Sequence, residues 1–342
     1  MQAPCPCFRD FSGAETKNRP MSSRSRTDAA SCREECAPPW RCGVVILNYN
    51  GSQDTIACLE SLLRGSTLPS WVVIVDNAST DGSPEHLQQW AASATGQRMP
   101  EVGEAAPAPP PGSLVLLRAR QNRGYAAGNN LALRLLMAWG ADAVWLLNND
   151  VVVDANALGA MLRRLFAKPR PGLCGARVYY MGTDRVQCRA GGSVSQWTAL
   201  ATLDGYGFST RRALDESAEV VEARLDFIYG ASVMASRNFV QTVGLMDERY
   251  FLYCEEQDWA YSARGRFDLA YAADAVVWHK EGGSTGHSWR QVNARALLLL
   301  ARSRILLTWK HKPQALPTVC LSIVFAAARM AWRRLVSRPV RF

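Results

Sequence analysis

Apolar residues in the first half of the chain come in unbroken runs that end abruptly in Asn or Asp. Residues 43–47 stop at Asn48, residues 71–75 stop at Asp76, and residues 144–147 stop at Asn148, Asn149 and Asp150. Runs that stay apolar at both alternating sets of positions predict strands buried on both faces, as in a parallel sheet. Between them, amphipathic patterns predict helices over 55–64, 83–90 and 131–139, and another strand begins at Ser113. Strands alternating with helices imply βαβ units, hence an α/β fold with a Rossmann-like, mostly parallel sheet and flanking helices. Residues 91–112, with Pro109, Pro110 and Pro111, are expected to form a surface insertion.

The second half is less regular. A helix over 155–166 and a strand over 172–180 precede a Gly-, Ser- and Thr-rich stretch, to about residue 215, that supports only short strands. Residues 225–235 form a buried run turned by Gly230. Glu255, Glu256 and Asp258 stand before Trp259 at a helix start, and a strand over 275–278 ends in His279 and a glycine turn.

In an open α/β sheet, ligands sit beyond the carboxyl ends of the strands, so Asn48, Asp76 and Asp150 point toward one crevice. Short carboxylates and amides at several strand ends suit a nucleotide and its metal. Each also has a plain structural explanation: turn geometry for Asn148 to Asp150, a helix cap for a single strand end, and dipole stabilisation for the acidic group. Neither GxGxxG after the first strand nor GxxxxGK[ST] occurs, which counts against a dinucleotide fold or a P-loop.

Composition sharpens the ends of the chain. The 342 residues are 48% hydrophobic and 20% charged, with a formal charge of +9. Residues 290–341 hold eleven Lys or Arg and no acid, so the tail alone exceeds that sum. Its pattern predicts a basic amphipathic helix over 291–309, then an apolar stretch, 316–328, too short to span a bilayer that needs roughly 20 residues. Such a tail suits the headgroup region of a membrane, or packing on the main domain. A nucleic-acid motif with interleaved aromatic positions is missing. Residues 1–42 have no apolar periodicity and are expected to be a disordered extension. The ten cysteines include Cys5, Cys7, Cys32, Cys36 and Cys42 ahead of the first strand without paired CxxC spacing; reduced, cytoplasmic thiols are expected.

Seven stretches, in order, resemble glycosyltransferase family 2, the inverting enzymes of GT-A fold, and within it the bacterial rhamnosyltransferase-like branch. They are VVILNYNG from Val44, VVIVDNASTDGS from Val72, QNRGYAAGNN from Gln121, GADAVWLLNNDVVVD from Gly140, GASVMASR from Gly230, VGLMDERYFLYCEEQDW from Val243 and VWHKEGGSTG from Val277. The resemblance implies a catalytic domain over 43–288, with a nucleotide-binding half at 43–153 and an acceptor half at 154–288, followed by a helical tail at 289–342. It places Asn48, Asp76 and Asp81 around the nucleotide of an activated sugar, and Asn122 and Gly124 near its pyrophosphate or sugar. Asn148 and Asp150 fall on the first and third positions of the DxD element. The catalytic carboxylate falls on Glu256, with Glu255 and Asp258 beside it, and His279 matches a histidine that holds the metal or diphosphate.

The implied reaction moves a hexose from a dTDP- or UDP-sugar to a glycan or lipid-linked hydroxyl, on the inner face of the cell membrane, in polysaccharide synthesis. Its chemistry needs a base for the acceptor proton and a counter-charge for the departing diphosphate. Oxygen ligands suit Mg²⁺ or Mn²⁺, and one imidazole tilts the choice toward Mn²⁺. The chain departs from the family at Asn148, where Asp is usual, at Glu256, one methylene longer than Asp, and at Ser262, where Arg is common. These departures leave a non-catalytic nucleotide-sugar or glycan-binding protein as the alternative. A sugar nucleotidyltransferase is the other alternative, although its Gly- and basic-rich signature after the first strand is missing.

Overall fold

The computed structural model describes residues 40–213, 216–280 and 294–336, with side chains up to residue 330. Most of the expected N-terminal extension, the glycine turn at 281–286 and the start of the expected basic helix lie outside the described residues.

Strands β1 (Cys42–Asn48), β2 (Trp71–Asp76), β3 (Ser113–Arg118) and β4 (Ala143–Asn148) run parallel in the order β3-β2-β1-β4. Their side chains divide by parity. Val44, Ile46 and Ile74 enter one core with Leu59 and Leu62 of α1 (Ser52–Leu63) and Leu87 of α2 (Ser83–Thr95). Val45, Val73 and Val75 enter the other with Leu133 and Leu136 of α3 (Tyr125–Ala138). Helices on both faces explain why these strands have no polar positions until their ends, and each fully buried aliphatic side chain contributes about 1.5–3 kcal/mol. The Pro-rich insertion is pinned to this layer, since Trp71 Nε1 donates to the Pro109 carbonyl (3.0 Å) and Trp139 Nε1 to that of Ala106 (2.8 Å).

After β4 the chain turns at Asn149 and Asp150 into β5 (Val151–Val153), which joins the far edge of the sheet. There follow α4 (Ala157–Phe166), β6 (Pro171–Tyr180) and β7 (Val186–Arg189), the last antiparallel to β6. A separate three-stranded sheet holds β8 (Gly191–Val194), β9 (Ala201–Leu203) and β10 (Phe227–Ile228), with short helices α5 (Thr210–Ala213) and α6 (Ala218–Glu222) between the last two. Then come β11 (Ser232–Ser236), α7 (Arg237–Val243), α8 (Glu255–Ser262) and β12 (Asp268–His279), completing the order β4-β11-β6-β12-β5.

The parallel expectation therefore describes the first four strands, while the rest of the sheet is mixed. The reason is local: β11 starts beside the end of β4, where the Asn148 amide bonds the Ala231 carbonyl, and so it must run backwards between β4 and β6. Strand β12 is three times the length expected from residues 275–278, because its Ala- and Asp-rich first part pairs with β6 across a bulge.

The C-terminal helices α9 (Ala294–His311) and α10 (Leu316–Val336) pack on this body. The Ser303 hydroxyl donates to the Leu252 carbonyl (3.0 Å), and buried Arg304 bonds the Thr198 carbonyl and Ser322. Val319 is fully buried, whereas Leu321, Val324 and Phe325 are 65–71% exposed on the opposite side of α10. That helix is longer than the apolar run expected from sequence. Its window from Pro313 to Met330 is, by length and composition alone, long and apolar enough to cross a membrane. Cys42, the first residue of β1, is free, as are the other five described cysteines.

Candidate active site

The strand ends are knitted together before any ligand is considered. Asn48 Nδ2 donates to Asp76 Oδ1 (2.8 Å), while Asn48 Oδ1 accepts from Thr55 Oγ1 (2.8 Å). The other Asp76 oxygen accepts the Ser79 amide (3.0 Å). Both residues are buried. Asp81 is exposed and accepts the Ser83 amide and hydroxyl at the start of α2. Asn122 Oδ1 accepts from Asn77 Nδ2 (3.1 Å) and from the Gly124 amide (2.9 Å). Gly124 has φ +94°, and a Cβ there would lie 2.1 Å from the Phe251 carbonyl oxygen, so only glycine admits the loop that leads to α8.

Asp150 follows the end of β4 and is buried. Pairing of His279 with Val151 brings its Nε2 to 3.2 Å from Asp150 Oδ1. That separation matches two adjacent ligands of an octahedral ion with bonds of about 2.1 Å, so the pair fits a small divalent cation. Among the described residues no group of three or more His, Cys, Asp or Glu forms a complete metal site. Asn148 is half-buried, and its side chain makes no hydrogen bond among the described residues. Lys280 closes this corner: its amide donates to the Asp150 carbonyl and its ammonium pairs with Asp54 at 3.0 Å.

The acidic pair enters on a strained backbone. Tyr253 (φ +72°) and Cys254 (φ +67°) both occupy the left-handed region immediately before α8, at a cost of about 1–3 kcal/mol each. This places Glu255 and Glu256 in the first helical turn. Glu255 is buried with Oε2 unpartnered among the described residues, and burial, reinforced by Glu256, pushes its carboxyl well above the usual range. Glu256 is half-buried, and burial pushes its carboxyl up to about 7, opposed by its own amide and that of Gly230. The Tyr125 hydroxyl donates to the Gly230 carbonyl (2.9 Å). Burial raises its pKa, and the charges of Glu256, Glu255 and Asp150 add to that rise.

Asp258 faces elsewhere. It is buried against Lys310 Nζ (2.8 Å), His311 Nε2 (2.7 Å) and the Tyr250 hydroxyl (3.3 Å), and so anchors α9 instead of serving the crevice. Ser262 ends α8, and nothing in the structure explains its replacing Arg. Sequence reasoning also missed Tyr125, which was visible only as a residue of the QNRGYAAGNN stretch, and Gln187, which lies in the stretch without periodicity.

Residues 43–205 match the family model "Glycosyl transferase family 2". Residues 43–205 carry a glycosyltransferase family 2 domain, the mark of an inverting glycosyltransferase. It is 26% identical over 259 residues to an N-acetylglucosaminyl-diphospho-decaprenol L-rhamnosyltransferase of Mycobacterium tuberculosis, covering 71% of this chain and 77% of that protein. It is 24% identical over 224 residues to the low-salt glycan biosynthesis hexosyltransferase Agl10 of Haloferax volcanii, covering 65% of this chain and 61% of the relative. The GT-A fold is shared with GalNAc-T7, crystallised with UDP, GalNAc and Mn²⁺, at a TM-score of 0.56 and 14% identity. That match covers 79% of this chain and 47% of the other.

Proposed function

We propose that this family 2 enzyme transfers a hexose, with rhamnose favoured, from a dTDP- or UDP-sugar to a hydroxyl of a lipid-linked glycan acceptor during cell-surface polysaccharide synthesis. The observation that carries the reading is Glu256, a half-buried carboxyl raised by burial to about 7 beside Gly230, whose carbonyl takes the Tyr125 hydroxyl. A base poised near neutral pH combines a populated carboxylate with useful basicity toward the acceptor hydroxyl. Glu255 beside it, raised by burial and by the charge of Glu256, holds its proton more firmly than an ordinary carboxyl. Asn48, Asp76, Asp81, Asn122 and Gly124 shape the pocket for the nucleotide and its diphosphate. Asp150 and His279 would hold Mn²⁺ or Mg²⁺, Mn²⁺ being the better match to imidazole, and the ion would neutralise charge on the departing diphosphate. Rhamnose and a lipid diphosphate acceptor are favoured by the name of the mycobacterial relative.

Donor turnover tests this reading. Incubation with dTDP-, UDP- and GDP-sugars, with and without Mn²⁺, is expected to release nucleoside diphosphate from one donor class, and Glu256→Gln is expected to abolish the release. Binding of every donor without turnover, unchanged in Glu256→Gln, would identify a non-catalytic nucleotide-sugar binder.

Attachment to the inner face of an anionic membrane follows from the same acceptor and from the tail. One side of α10 is docked through Val319 and Ser322, while Leu321, Val324 and Phe325, spaced i, i+3 and i+4, present an apolar face outward. A helix held along the protein surface within a stretch of sequence rich in lysine and arginine suits the headgroup layer, where each basic residue contributes about 1 kcal/mol. Leu321→Glu with Phe325→Glu in the full chain is expected to abolish co-sedimentation with phosphatidylglycerol vesicles. Sedimentation equal to the unsubstituted protein would remove the membrane reading.

A further inference from the structure

Gln187 is the extra residue of a β-bulge. Along the β6–β7 ladder Cys188 pairs with Val178 and Val186 with Tyr179, so Gln187 has no cross-strand partner. Bulges re-aim side chains, and this one sends Gln187 Oε1 to 2.8 Å from Nδ1 of His279, with both residues buried. The Gln187 oxygen can only accept, so Nδ1 carries the ring proton. The other ring nitrogen, Nε2, faces Asp150 Oδ1 at 3.2 Å. The Tyr229 ring meets the imidazole edge-on at 6.1 Å and restricts the ring from another side.

We propose that Gln187 is a positioning residue that sets the tautomer and ring plane of His279, so that Nε2 and Asp150 jointly bind a divalent cation. This rests on the reading of Asp150 and His279 as cation ligands. Hydrogen bonds of this kind to a ligating imidazole fix its orientation, and their loss costs about 10- to 100-fold in metal affinity.

The test uses the full chain with Mn²⁺ alone, followed by electron paramagnetic resonance of the free ion. Gln187→Leu, close in volume but without an acceptor, is expected to weaken Mn²⁺ binding about 10- to 100-fold. Gln187→Glu, which restores an acceptor, is expected to bind at or above the unsubstituted affinity. Nitrogen-15 spectra of metal-free protein, with His279 identified by its loss in His279→Gln, are expected to show the Nδ1–H tautomer, and to lose it in Gln187→Leu. If the unsubstituted protein binds no Mn²⁺, the cation reading falls and the inference with it. If it binds Mn²⁺ and Gln187→Leu keeps both affinity and tautomer, or Gln187→Glu is as weak as Gln187→Leu, the inference alone is overturned.

Discussion

Replacing Glu256 by Gln is expected to lower sugar transfer by about 10²- to 10⁴-fold, the range typical of a lost general base, while donor affinity changes by no more than a few-fold. The amide keeps the shape of the side chain and its place at the start of α8 but cannot take a proton. The pH dependence gives a second, independent reading. Burial raises Glu256 to about 7, so the unsubstituted enzyme should lose kcat/KM as pH falls through that value, where the base becomes protonated. The charge of Glu256 adds to the rise of Glu255, so the acid limb belongs to the pair. Glu256→Gln should remove the limb together with the rate. A variant that keeps its rate within tenfold and its acid limb unchanged would move the proton transfer to another group. Steady-state kinetics from pH 5.5 to 9 with a labelled donor measures both quantities.

The nucleotide-side half of the fold was legible because β1, β2 and β4 are buried on both faces, which forces unbroken apolar runs. Their polar ends were legible for the same reason: nothing in a two-sided core explains an Asn or Asp there. The other half was not. The antiparallel placement of β11 between β4 and β6 depends on where the chain re-enters the sheet, which no local pattern encodes. The first part of β12 hid behind Ala and Asp residues and a bulge. Site residues followed the same division. Glu255 and Glu256 were marked by their sequence neighbours, but the acidic cluster alone could not show that Asp258 turns toward Lys310 and His311. Gln187 carried no signal, because a bulge partner of a distant histidine is defined only by the folded ladder.

Asp258 provides the contrasting result. Asp258→Ala is expected to destabilise the protein by about 3 kcal/mol while leaving the acid limb of the rate profile in place. Breaking a buried ion pair by removing one partner costs about 3–5 kcal/mol, because the other charge stays behind without its counter-ion. The lower end applies here, since Lys310 is 30% exposed and retains Asp247 at 3.2 Å. His311 and the Tyr250 hydroxyl would also lose an acceptor at 2.7 Å and 3.3 Å. The loss falls on the joint between α8 and α9, so the tail helices should loosen first, with faster amide exchange around Ser303 to Thr308 before the sheet unfolds. Calorimetry and hydrogen exchange measure these two effects. Unchanged stability together with a rate loss as large as that of Glu256→Gln would return Asp258 to the catalytic group. The two substitutions lie one helical half-turn apart, and they separate because Glu256 opens on the crevice while Asp258 binds the C-terminal helix.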